Sequence, residues 1–385
     1  MSIHRPTIHL WAPGIREGSG GIQGFCRDLL AALIRAFPHN PIHVLIKNDR
    51  PEPNDPLFGA NVRWTSVCTW PGPLKTIGFA LLGGLRCARQ RPGVIVCGHV
   101  NFLPAVRWFN QQLKMPHVTF MYGIDVWTRL SDSIRSGLHE SAALFSISNH
   151  TTQQAVVAQE LGSKRIDHFP CTFATTRYVP GPKPPVLLER YGLRPDQPVL
   201  FTVSRLAASE QYKGHEQILQ ALPTVAKTSP DVRYIIGGTG DYADTLKQRA
   251  AELGLADRVI FAGFIPNQEL AAHYQLCDAF VMPSRKEGFG IVFLEAMGCG
   301  KPVIGGNQDG SVDALDGGRL GVLIDPLNIA ELAESICQIL TKTHPNRLLF
   351  DPQALHDAAV ATFGPDAFRQ RLQDALVPLL KSRSQ

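Results

Sequence analysis

Residues 279–297 read AFVMPSRKEGFGIVFLEAM, and their pattern of apolar and glycine residues is the strongest indication of the fold. Its apolar beginning, Ala279–Met282, predicts a buried strand, and its periodic end, Gly290–Met297, predicts a helix. Gly288 and Gly290 lie in the loop between them, where they let the backbone approach a ligand closely. Strands that alternate with helices in this way are typical of a parallel sheet covered on both faces.

The alternation of strands and helices runs twice along the chain. The first series begins with a strand predicted at Thr7–Trp11, and the second with one at Val199–Val203. Between the two series, residues 179–198 contain six prolines and two glycines, as an interdomain linker would. The pattern therefore predicts an α/β protein with domains over residues 1–178 and 199–364 and a terminal helix over residues 365–385.

Charge is spread unevenly over these two halves. The chain has 385 residues and a net charge of +5, which is too mild to indicate a nucleic-acid partner. Residues 1–178 carry 18 Lys and Arg against 10 Asp and Glu, whereas the remainder carries 20 against 23. The first half is therefore expected to meet something anionic, or else to carry a solvated basic surface.

The chain shows no sign of export or of a membrane span. Pro13, Gly14 and Arg16 interrupt the N-terminus too early for a signal peptide, and no apolar run reaches the roughly 18 residues that a span needs. The eight cysteines include no closely spaced pair, which favours a reducing compartment. We expect a cytoplasmic protein that at most rests on the inner face of the membrane.

Two carboxylates frame the glycine loop of the opening stretch. Glu287 lies in the loop, and Glu295 lies about one turn into the predicted helix. The unpaired N–H groups at the start of that helix suit a phosphate, and both carboxylates can accept hydrogen bonds from sugar hydroxyls. The alternative is an ordinary charge at a helix N-terminus together with a solvated glutamate.

Two cations follow the first strand of the second half. Arg205 stands at the end of the predicted strand Val199–Val203, and Lys213 precedes the next helix, where Gly214 frees the backbone. Arginine can hold a diphosphate at two points and lysine can neutralise it as a point charge. The alternative is a pair of surface cations.

Two further glycine turns come before or between predicted elements. Gly238 and Gly240 follow the predicted strand Val232–Ile236, where a base or ribose could lie flat against the backbone. Gly20 and Gly21 precede a predicted helix and could form a second backbone anion site. Tight turns without a ligand are the alternative for both pairs.

Metal-binding carboxylates of the Asp-x-Asp type do not occur in the sequence. A transferase that holds a diphosphate through a divalent metal would usually need them. We therefore expect no metal and no cofactor, with Arg205, Lys213 and helix N-termini in their place.

Together these motifs closely resemble retaining glycosyltransferase family 4, most strongly from Phe201 to Pro326. The resemblance implies the GT-B fold, in which two Rossmann-like domains face each other across a cleft and the C-terminal helix crosses back to the first domain. It also implies that Arg205 and Lys213 bind the diphosphate, that Glu287 contacts the transferred sugar and that Glu295 contacts the ribose. The resemblance further implies donor contacts from the backbone of Gly288, Phe289, Gly290, Ile291 and Val292, and from the loop of Gly20 and Gly21.

One position departs from the family. Tyr122-Gly-Ile-Asp125 aligns with a motif that often begins with histidine near the donor sugar. A phenol can donate a hydrogen bond there but does not titrate near neutral pH. Tyr122 is thus a candidate catalytic residue of open role, and Asp125 and His99 are candidates on the acceptor side. For His99, a buried or loop histidine with ordinary partners is the alternative.

The resemblance implies transfer of a hexose from a UDP- or GDP-linked donor in polysaccharide or glycolipid assembly. The acceptor is expected to be a glycan or a lipid-linked or phosphorylated molecule. Lys75, Arg86, Arg89 and Arg91 flank the predicted helix Leu74–Arg91, which suggests an anionic membrane surface. Alternatively, Ile77, Leu81, Leu85 and Ala88 pack this helix onto the sheet and its cations are solvated.

Three other functions compete with this interpretation. A sugar-nucleotide epimerase of the same fold would need carboxylates placed for elimination, and a dehydrogenase would need a Gly-x-Gly-x-x-Gly turn, which opens neither half. A non-catalytic sugar-nucleotide binder is the rival of a different class. The presence of Arg205, Lys213, Glu287 and Glu295 favours the enzyme.

Overall fold

The computed structural model describes residues 5–16, 20–52 and 54–381. These residues form two compact units. The first unit comprises the chain up to Thr172 together with the segment from Pro365, and the second runs from Phe173 to Gly364. The boundary between the units falls between Thr172 and Phe173, before the predicted end of the first domain at residue 178. The Pro-rich stretch 179–198 therefore lies within the second unit.

The first unit is built on a parallel sheet with the strand order β3-β2-β1-β4-β5-β6-β7. Its central strands are buried along their whole length, because helices cover both faces. The strands are β1 (Ile8–Ala12), β2 (Ile42–Ile46), β3 (Val62–Ser66), β4 (Val94–Cys97), β5 (His117–Met121), β6 (Ala143–Ser146) and β7 (Ile166–His168). The helices are α1 (Gly21–Ala36), α2 (Gly72–Gln90), α3 (Leu103–Leu113), α4 (Asp132–Glu140) and α5 (Asn149–Ala158).

Helix α2 packs with a face rich in glycine, and not with the face that carries most of its large aliphatic residues. Its buried residues are Gly78, Phe79, Gly83, Gly84 and Cys87. A Cβ atom at Gly83 would lie 2.6 Å from the ring of Trp11, and one at Gly84 would lie 1.9 Å from the ring of Phe109. The glycines therefore bring the helix so close to its neighbours that larger side chains have no room there.

The large apolar residues of α2 consequently point outward. Ile77, Leu81 and Leu85 are exposed, as is Leu74 in the first turn. The alternative in which Ile77, Leu81, Leu85 and Ala88 pack this helix onto the sheet is wrong, because the glycine face occupies that position. Hydrophobic spacing identified the helix, but small residues decided its orientation.

The second unit contains a six-stranded parallel sheet with the order β10-β9-β8-β11-β12-β13. Its strands are β8 (Val199–Val203), β9 (Arg233–Gly237), β10 (Val259–Gly263), β11 (Ala279–Met282), β12 (Val303–Gly306) and β13 (Val322–Ile324). Its helices are α6 (Pro185–Tyr191), α7 (His215–Thr228), α8 (Ala243–Glu252), α9 (Asn267–Leu276), α10 (Ile291–Gly298), α11 (Ser311–Ala314), α12 (Ile329–Leu340) and α13 (Pro352–Phe363). Helix α6 gives regular structure to the middle of the predicted linker, since Pro185 occupies its first turn.

The C-terminal helix α14 (Pro365–Lys381) belongs to the first unit. It packs against α1, where the ring of Phe368 meets that of Phe25 at 5.4 Å and that of Phe169 at 4.9 Å. The predicted return of the last helix to the first domain is confirmed; residues 382–385 lie outside the described part. Two Rossmann-like units, each with a parallel sheet, confirm the predicted fold class.

Candidate functional site

The strand order of the second sheet reverses beside β8. Strands β9 and β10 lie on one side of β8, and β11, β12 and β13 lie on the other. The loops that leave β8 and β11 therefore diverge at one edge of the sheet, where open α/β proteins bind their ligands. Residues 204–213 follow β8 and residues 283–290 follow β11, so both predicted motifs begin at this edge.

Lys213 and Glu287 form an ion pair at this edge. Lys213 Nζ lies 2.9 Å from Glu287 Oε2, and only 13% of the lysine side chain and 20% of the glutamate side chain are exposed. Burial alone would lower the pKa of Lys213, but the adjacent Glu287 carboxylate outweighs burial and raises it. The lysine is therefore fully charged at neutral pH.

Glu210 links the two predicted cations. Its side chain is 10% exposed; it contacts the guanidinium of Arg205 and lies 3.8 Å from Lys213 Nζ. Arg205, by contrast, is 81% exposed. The structure thus brings Arg205, Lys213 and Glu287 together around Glu210. Sequence reasoning missed Glu210 because it lies in a 3₁₀ segment, Ala208–Lys213, whose short turns leave no apolar period.

Asp309 holds the Glu287 loop from behind. This residue is 2% exposed and follows β12. Its carboxylate accepts from the backbone N–H of Glu287 at 2.6 Å, from Ser284 Oγ at 2.8 Å and from the backbone N–H of Ser311 at 2.9 Å. A buried carboxylate with three donors is strongly fixed, so Asp309 positions Glu287. Sequence reasoning missed it, although an Asp-Gly-Ser turn after a strand is a usable signal.

Two glycines allow the loops to meet. Gly214 has φ of +86°, and a Cβ atom there would lie 2.6 Å from the carbonyl oxygen of Pro283. The backbone N–H of Arg285 donates to the carbonyl of Tyr212 at 3.0 Å, next to Lys213. Similarly, a Cβ atom at Gly310 would lie 2.2 Å from the carbonyl oxygen of Gly288. Close backbone packing therefore fixes the Lys213–Glu287 separation.

Helix α10 opens towards this cluster with free N–H groups. Its N-cap, Gly290, has φ of +93° and supplies no side-chain cap, and the first turn, with Ile291 and Val292, holds no acidic residue. Such a terminus can accept an anion. The Phe289 side chain, however, is buried and meets the ring of Phe363 at 5.8 Å, so it belongs to the core and leaves only its backbone for a ligand.

Glu295 has different partners from Glu287. Its Oε2 accepts from the hydroxyl of Tyr274 at 2.8 Å, and the hydroxyl of Tyr178 also bonds to it. Burial raises the pKa of Glu295 to about 7, against the stabilising effect of the two tyrosines. The two glutamates of the motif are therefore held by separate groups, one by a lysine and one by phenols.

Gly238 and Gly240 serve the packing of the β8 loop. A Cβ atom at Gly238 would lie 1.8 Å from the carbonyl oxygen of Ser204, and one at Gly240 would lie 2.1 Å from that of Leu206. The backbone N–H of Leu206 also donates to the carbonyl of Thr239 at 3.0 Å. These glycines let the turn press against the segment that carries Arg205, which explains their presence without a ligand.

The first sheet reverses its order between β1 and β4. Gly20, with φ of +142°, is the N-cap of α1, and the space beside Gly21 is open within 4 Å. His99 follows β4 and accepts a hydrogen bond at Nδ1 from the backbone N–H of Asn101 at 3.1 Å. Burial, assisted by Lys47, lowers the pKa of His99. The predicted N-terminal glycine loop and His99 thus both lie at the corresponding edge of the first unit.

Tyr122 and Asp125 are engaged within the first unit. The hydroxyl of Tyr122 donates to the carbonyl of Gly98 at 3.2 Å, and its ring packs edge-on to Phe25 at 5.1 Å. Asp125 Oδ1 accepts from the backbone N–H of Tyr122 at 3.1 Å, and burial raises the pKa of Asp125 to about 7. These contacts account for both side chains as supports of the loop after β5.

The described residues contain neither a metal-binding cluster nor a membrane-spanning helix. No group of three or more His, Cys, Asp or Glu side chains there is arranged to hold a metal ion. No helix in the same residues combines the length and apolar character needed to cross a membrane.

Comparison with known proteins identifies the second unit. Residues 187–352 match the family described as Glycosyl transferases group 1. Over 186 residues, the chain is 36% identical to a GDP-mannose-dependent alpha-(1-6)-phosphatidylinositol monomannoside mannosyltransferase of Mycolicibacterium smegmatis, covering 46% of this chain and 48% of that protein. A 2-deoxystreptamine glucosyltransferase of Streptomyces kanamyceticus is 31% identical over 215 residues, covering 55% of this chain and 54% of that protein. The chain spans about half the length of the curated relatives that it matches.

Solved structures extend the likeness to both units. Sucrose-phosphate synthase of Thermosynechococcus elongatus superposes with a TM-score of 0.76 at 20% identity, over 98% of this chain and 100% of that one. HepE of Anabaena, solved with UDP and glucose, superposes with a TM-score of 0.72 at 21% identity, over 97% and 100%. The chain therefore has the GT-B fold of nucleotide-sugar glycosyltransferases. The match of residues 187–352 to the family described as Glycosyl transferases group 1 confirms the resemblance to a glycosyltransferase family found in the sequence.

Proposed function

We propose that the chain is a retaining hexosyltransferase that takes its sugar from a nucleoside diphosphate donor. The observation that carries this proposal is the cluster of Arg205, Glu210, Lys213 and Glu287 at the reversal of the second sheet. Two cations and a free helix N-terminus at one edge suit a diphosphate. The GT-B fold and the matched family favour a sugar nucleotide as its carrier.

Within this cluster the two cations have different tasks. Lys213 has three N–H donors, of which Glu287 and Glu210 can accept two, so one is available to a phosphate oxygen. Arg205 has five donors and an exposed guanidinium, which can hold a second oxygen pair at the rim. Lys213 therefore supplies the fixed charge, and Arg205 supplies a grip that forms as the donor enters.

The acidic residues orient the sugar. Glu287 can accept from a sugar hydroxyl with the oxygen atom that does not face Lys213, and Asp309 keeps its backbone in place. Glu295 is proposed to contact the ribose, with Tyr274 and Tyr178 fixing its carboxylate. The backbone N–H groups of Ile291 and Val292 are proposed to meet a phosphate at the start of α10.

Catalysis in this proposal is electrostatic. The bond between the anomeric carbon and the β-phosphate oxygen breaks, and the acceptor oxygen forms a bond to the same face of that carbon. The departing phosphate takes the acceptor's proton, so the protein needs no strong base. Lys213 and Arg205 stabilise the charge that develops on the leaving diphosphate, which is the largest contribution that such a site makes.

The relatives favour a GDP-linked hexose and a glycolipid acceptor. Three of the matched proteins are GDP-mannose-dependent enzymes acting on phosphatidylinositol monomannoside, at 33–36% identity. We therefore propose GDP-mannose as the first donor to test and a lipid-linked glycan as the acceptor, with action at the inner face of the membrane. Neither a metal ion nor a cofactor is part of this proposal.

The test measures nucleoside diphosphate release from GDP-mannose, UDP-glucose and other sugar nucleotides, with and without a lipid extract. We expect one donor to be consumed, with the sugar recovered in the lipid fraction. Lys213→Ala should remove this turnover, whereas Lys227→Ala, at an exposed position of α7 in the same unit, should retain it. Donor binding without any release or transfer would instead support a non-catalytic sugar-nucleotide binder.

A further inference from the structure

The outward face of α2 is a continuous apolar stripe. Leu74, Ile77, Leu81 and Leu85 are each between 49% and 56% exposed. At about 100° per residue they fall within an arc of about 80° around the helix. Four large aliphatic side chains in one stripe expose more apolar surface than scattered residues would, which marks a place of interaction.

Tryptophans stand beside this stripe. Trp70 precedes α2, packs its ring beneath Gly78 and is 42% exposed. Trp108 lies on the neighbouring helix α3 and is 61% exposed. Because the tryptophan ring joins an apolar body to a polar N–H, it suits the boundary between water and lipid.

The charge around the stripe is of one sign. Residues 56–124, which include α2 and α3, contain seven Lys and Arg and no Asp or Glu. Lys75 and Arg89 lie on α2 to one side of the stripe, and Arg91 caps its end. Among the described residues, no carboxylate lies within ion-pair distance of Lys75, Arg86, Arg89 or Arg91. Arg107 of α3 is paired with Glu140 at 2.7 Å, so the uncompensated positive charge of this surface lies on α2 and its C-cap.

We propose that α2 docks the first unit onto an anionic bilayer, with the stripe of Leu74, Ile77, Leu81 and Leu85 entering the headgroup boundary. A helix with an apolar stripe flanked by cations lies in the plane of such a surface. Each cation near an anionic leaflet adds to the attraction. The inference rests on the proposed function only in giving the docked enzyme a lipid-linked acceptor.

A second copy of the chain fits this surface poorly. A symmetric contact through α2 would place the acid-free stretch 56–124 of one copy against the same stretch of another. Like charges would then meet across an apolar seam, which costs free energy. An anionic membrane satisfies both the apolar stripe and the charge.

The test is co-sedimentation of the full chain with vesicles of phosphatidylcholine alone or mixed with phosphatidylglycerol. We expect binding to the mixed vesicles that weakens several-fold when salt is raised. The triple variant Ile77→Gln, Leu81→Gln, Leu85→Gln should bind at least tenfold more weakly. Its matched control, Val157→Gln, Val186→Gln, Leu327→Gln, alters apolar residues elsewhere that are at least as exposed and should bind as the unaltered protein does.

A charge variant tests the second half of the inference. Lys75→Gln with Arg89→Gln should weaken binding roughly fivefold for each cation removed, whereas Arg165→Gln with Lys227→Gln should leave it unchanged. Absence of binding to the mixed vesicles would overturn the proposal. So would an α2-dependent dimer in light scattering that binds no lipid.

Nucleotide binding keeps the two proposals apart. The α2 variants alter the first unit and the Lys213 cluster belongs to the second, so we expect their thermal shift with GDP to match that of the unaltered protein. Lost vesicle binding with an intact GDP shift concerns the docking surface alone. Intact vesicle binding without any nucleotide shift would contradict the proposed function and leave the docking surface standing.

Discussion

Where the strand order of the second sheet reverses, four charged side chains meet: Arg205, Glu210, Lys213 and Glu287. At the corresponding edge of the first sheet, the polar atoms of His99 and Tyr122 are bonded to the backbone of their own unit. Both sheets have this reversal of strand order, but the side chains at the two edges differ. Each sheet therefore has an edge at which its strand order reverses, and the side chains at that edge determine whether it can bind a diphosphate.

The units also differ in where their positive charge lies. The second unit concentrates two cations at the sheet edge, where acidic residues hold them. In the first unit, residues 56–124, which include α2 and α3, carry seven Lys and Arg and no Asp or Glu. This difference is what we expect if, as proposed, the second unit binds the donor and the first unit contacts the acceptor and an anionic membrane.

The largest expected effect comes from removing the fixed charge of the second unit. Lys213→Ala should lower kcat by about a hundredfold to a thousandfold, because one preorganised charge at a leaving group contributes about that much. It should also leave Glu287 and Glu210 without their shared cation. Steady-state release of nucleoside diphosphate measures the effect, with Lys227→Ala as the control. A fall in kcat of less than tenfold would mean that the charge of Lys213 does not distinguish the edge of the second sheet from that of the first.

A buried histidine beneath Lys213 should make the second unit sensitive to acid. His215 bonds to Ser204 Oγ at 2.9 Å and lies 3.2 Å from the Tyr234 hydroxyl. Burial, aided by Lys213, lowers its pKa from 6.5 to about 4. Between pH 6.5 and about pH 4, His215 is protonated in the unfolded chain and neutral in the folded chain, so the free energy of unfolding falls as pH drops.

The histidine's contribution can be isolated by subtraction. The free energy of unfolding of the unaltered protein minus that of His215→Gln should decrease by up to about 3 kcal/mol from pH 7 to pH 4, at about 1.4 kcal/mol per pKa unit. Denaturant unfolding at a series of pH values measures this difference. A difference that does not vary with pH would mean that His215 is not held neutral by the fold.

A smaller effect is expected from loosening the Glu287 loop. Asp309→Asn replaces one of the two acceptor oxygens with an NH2 group, so at least one of the donors that now bond to Asp309, the N–H of Glu287 or that of Ser311, loses its acceptor. We expect the free energy of unfolding to fall by about 1–3 kcal/mol and the KM for the donor to rise roughly tenfold. Asp257→Asn, at an exposed position of the same unit, is the matched control. If donor KM is unchanged while stability falls, Asp309 supports the fold and not the site.

The smallest effect is expected in the first unit. Tyr122→Phe removes the hydrogen bond to the carbonyl of Gly98 and the weak contact with Cys26 Sγ, so the free energy of unfolding should fall by about 1 kcal/mol and kcat should change less than fivefold. The measurement is the same release assay together with denaturant unfolding. A hundredfold fall in kcat would return Tyr122 to the catalytic role suggested by the family motif, and would make the two edges more alike.

Much of the fold could be predicted because its central strands are short, apolar and bounded by glycine or proline. Val94–Cys97 and Ala279–Met282 have the predicted bounds, since every residue in them is buried. The edge strand β3 was missed because its pattern is half exposed. The orientation of α2 was left open between the two alternatives, because a hydrophobic period shows which residues share a face and not whether that face packs on the sheet.

The residues of the site also include some that the sequence predicts and some that it does not. Arg205, Lys213 and Glu287 could be named because each stands beside a glycine or a strand end in the sequence. Glu210 and Asp309 could not, because their importance lies in contacts with Lys213 and Glu287 that only the folded loops create. Single-sequence reasoning therefore found the residues that would face a ligand and missed the residues that hold them.

Calorimetric titration of the protein with GDP and with guanosine measures what the diphosphate contributes to binding, since the two ligands differ only in the diphosphate. We expect GDP to bind at least a hundredfold more tightly than guanosine, and Lys213→Ala to remove most of this difference while guanosine affinity is unchanged. Equal affinities for the two ligands, or a difference that survives Lys213→Ala, would contradict this expectation.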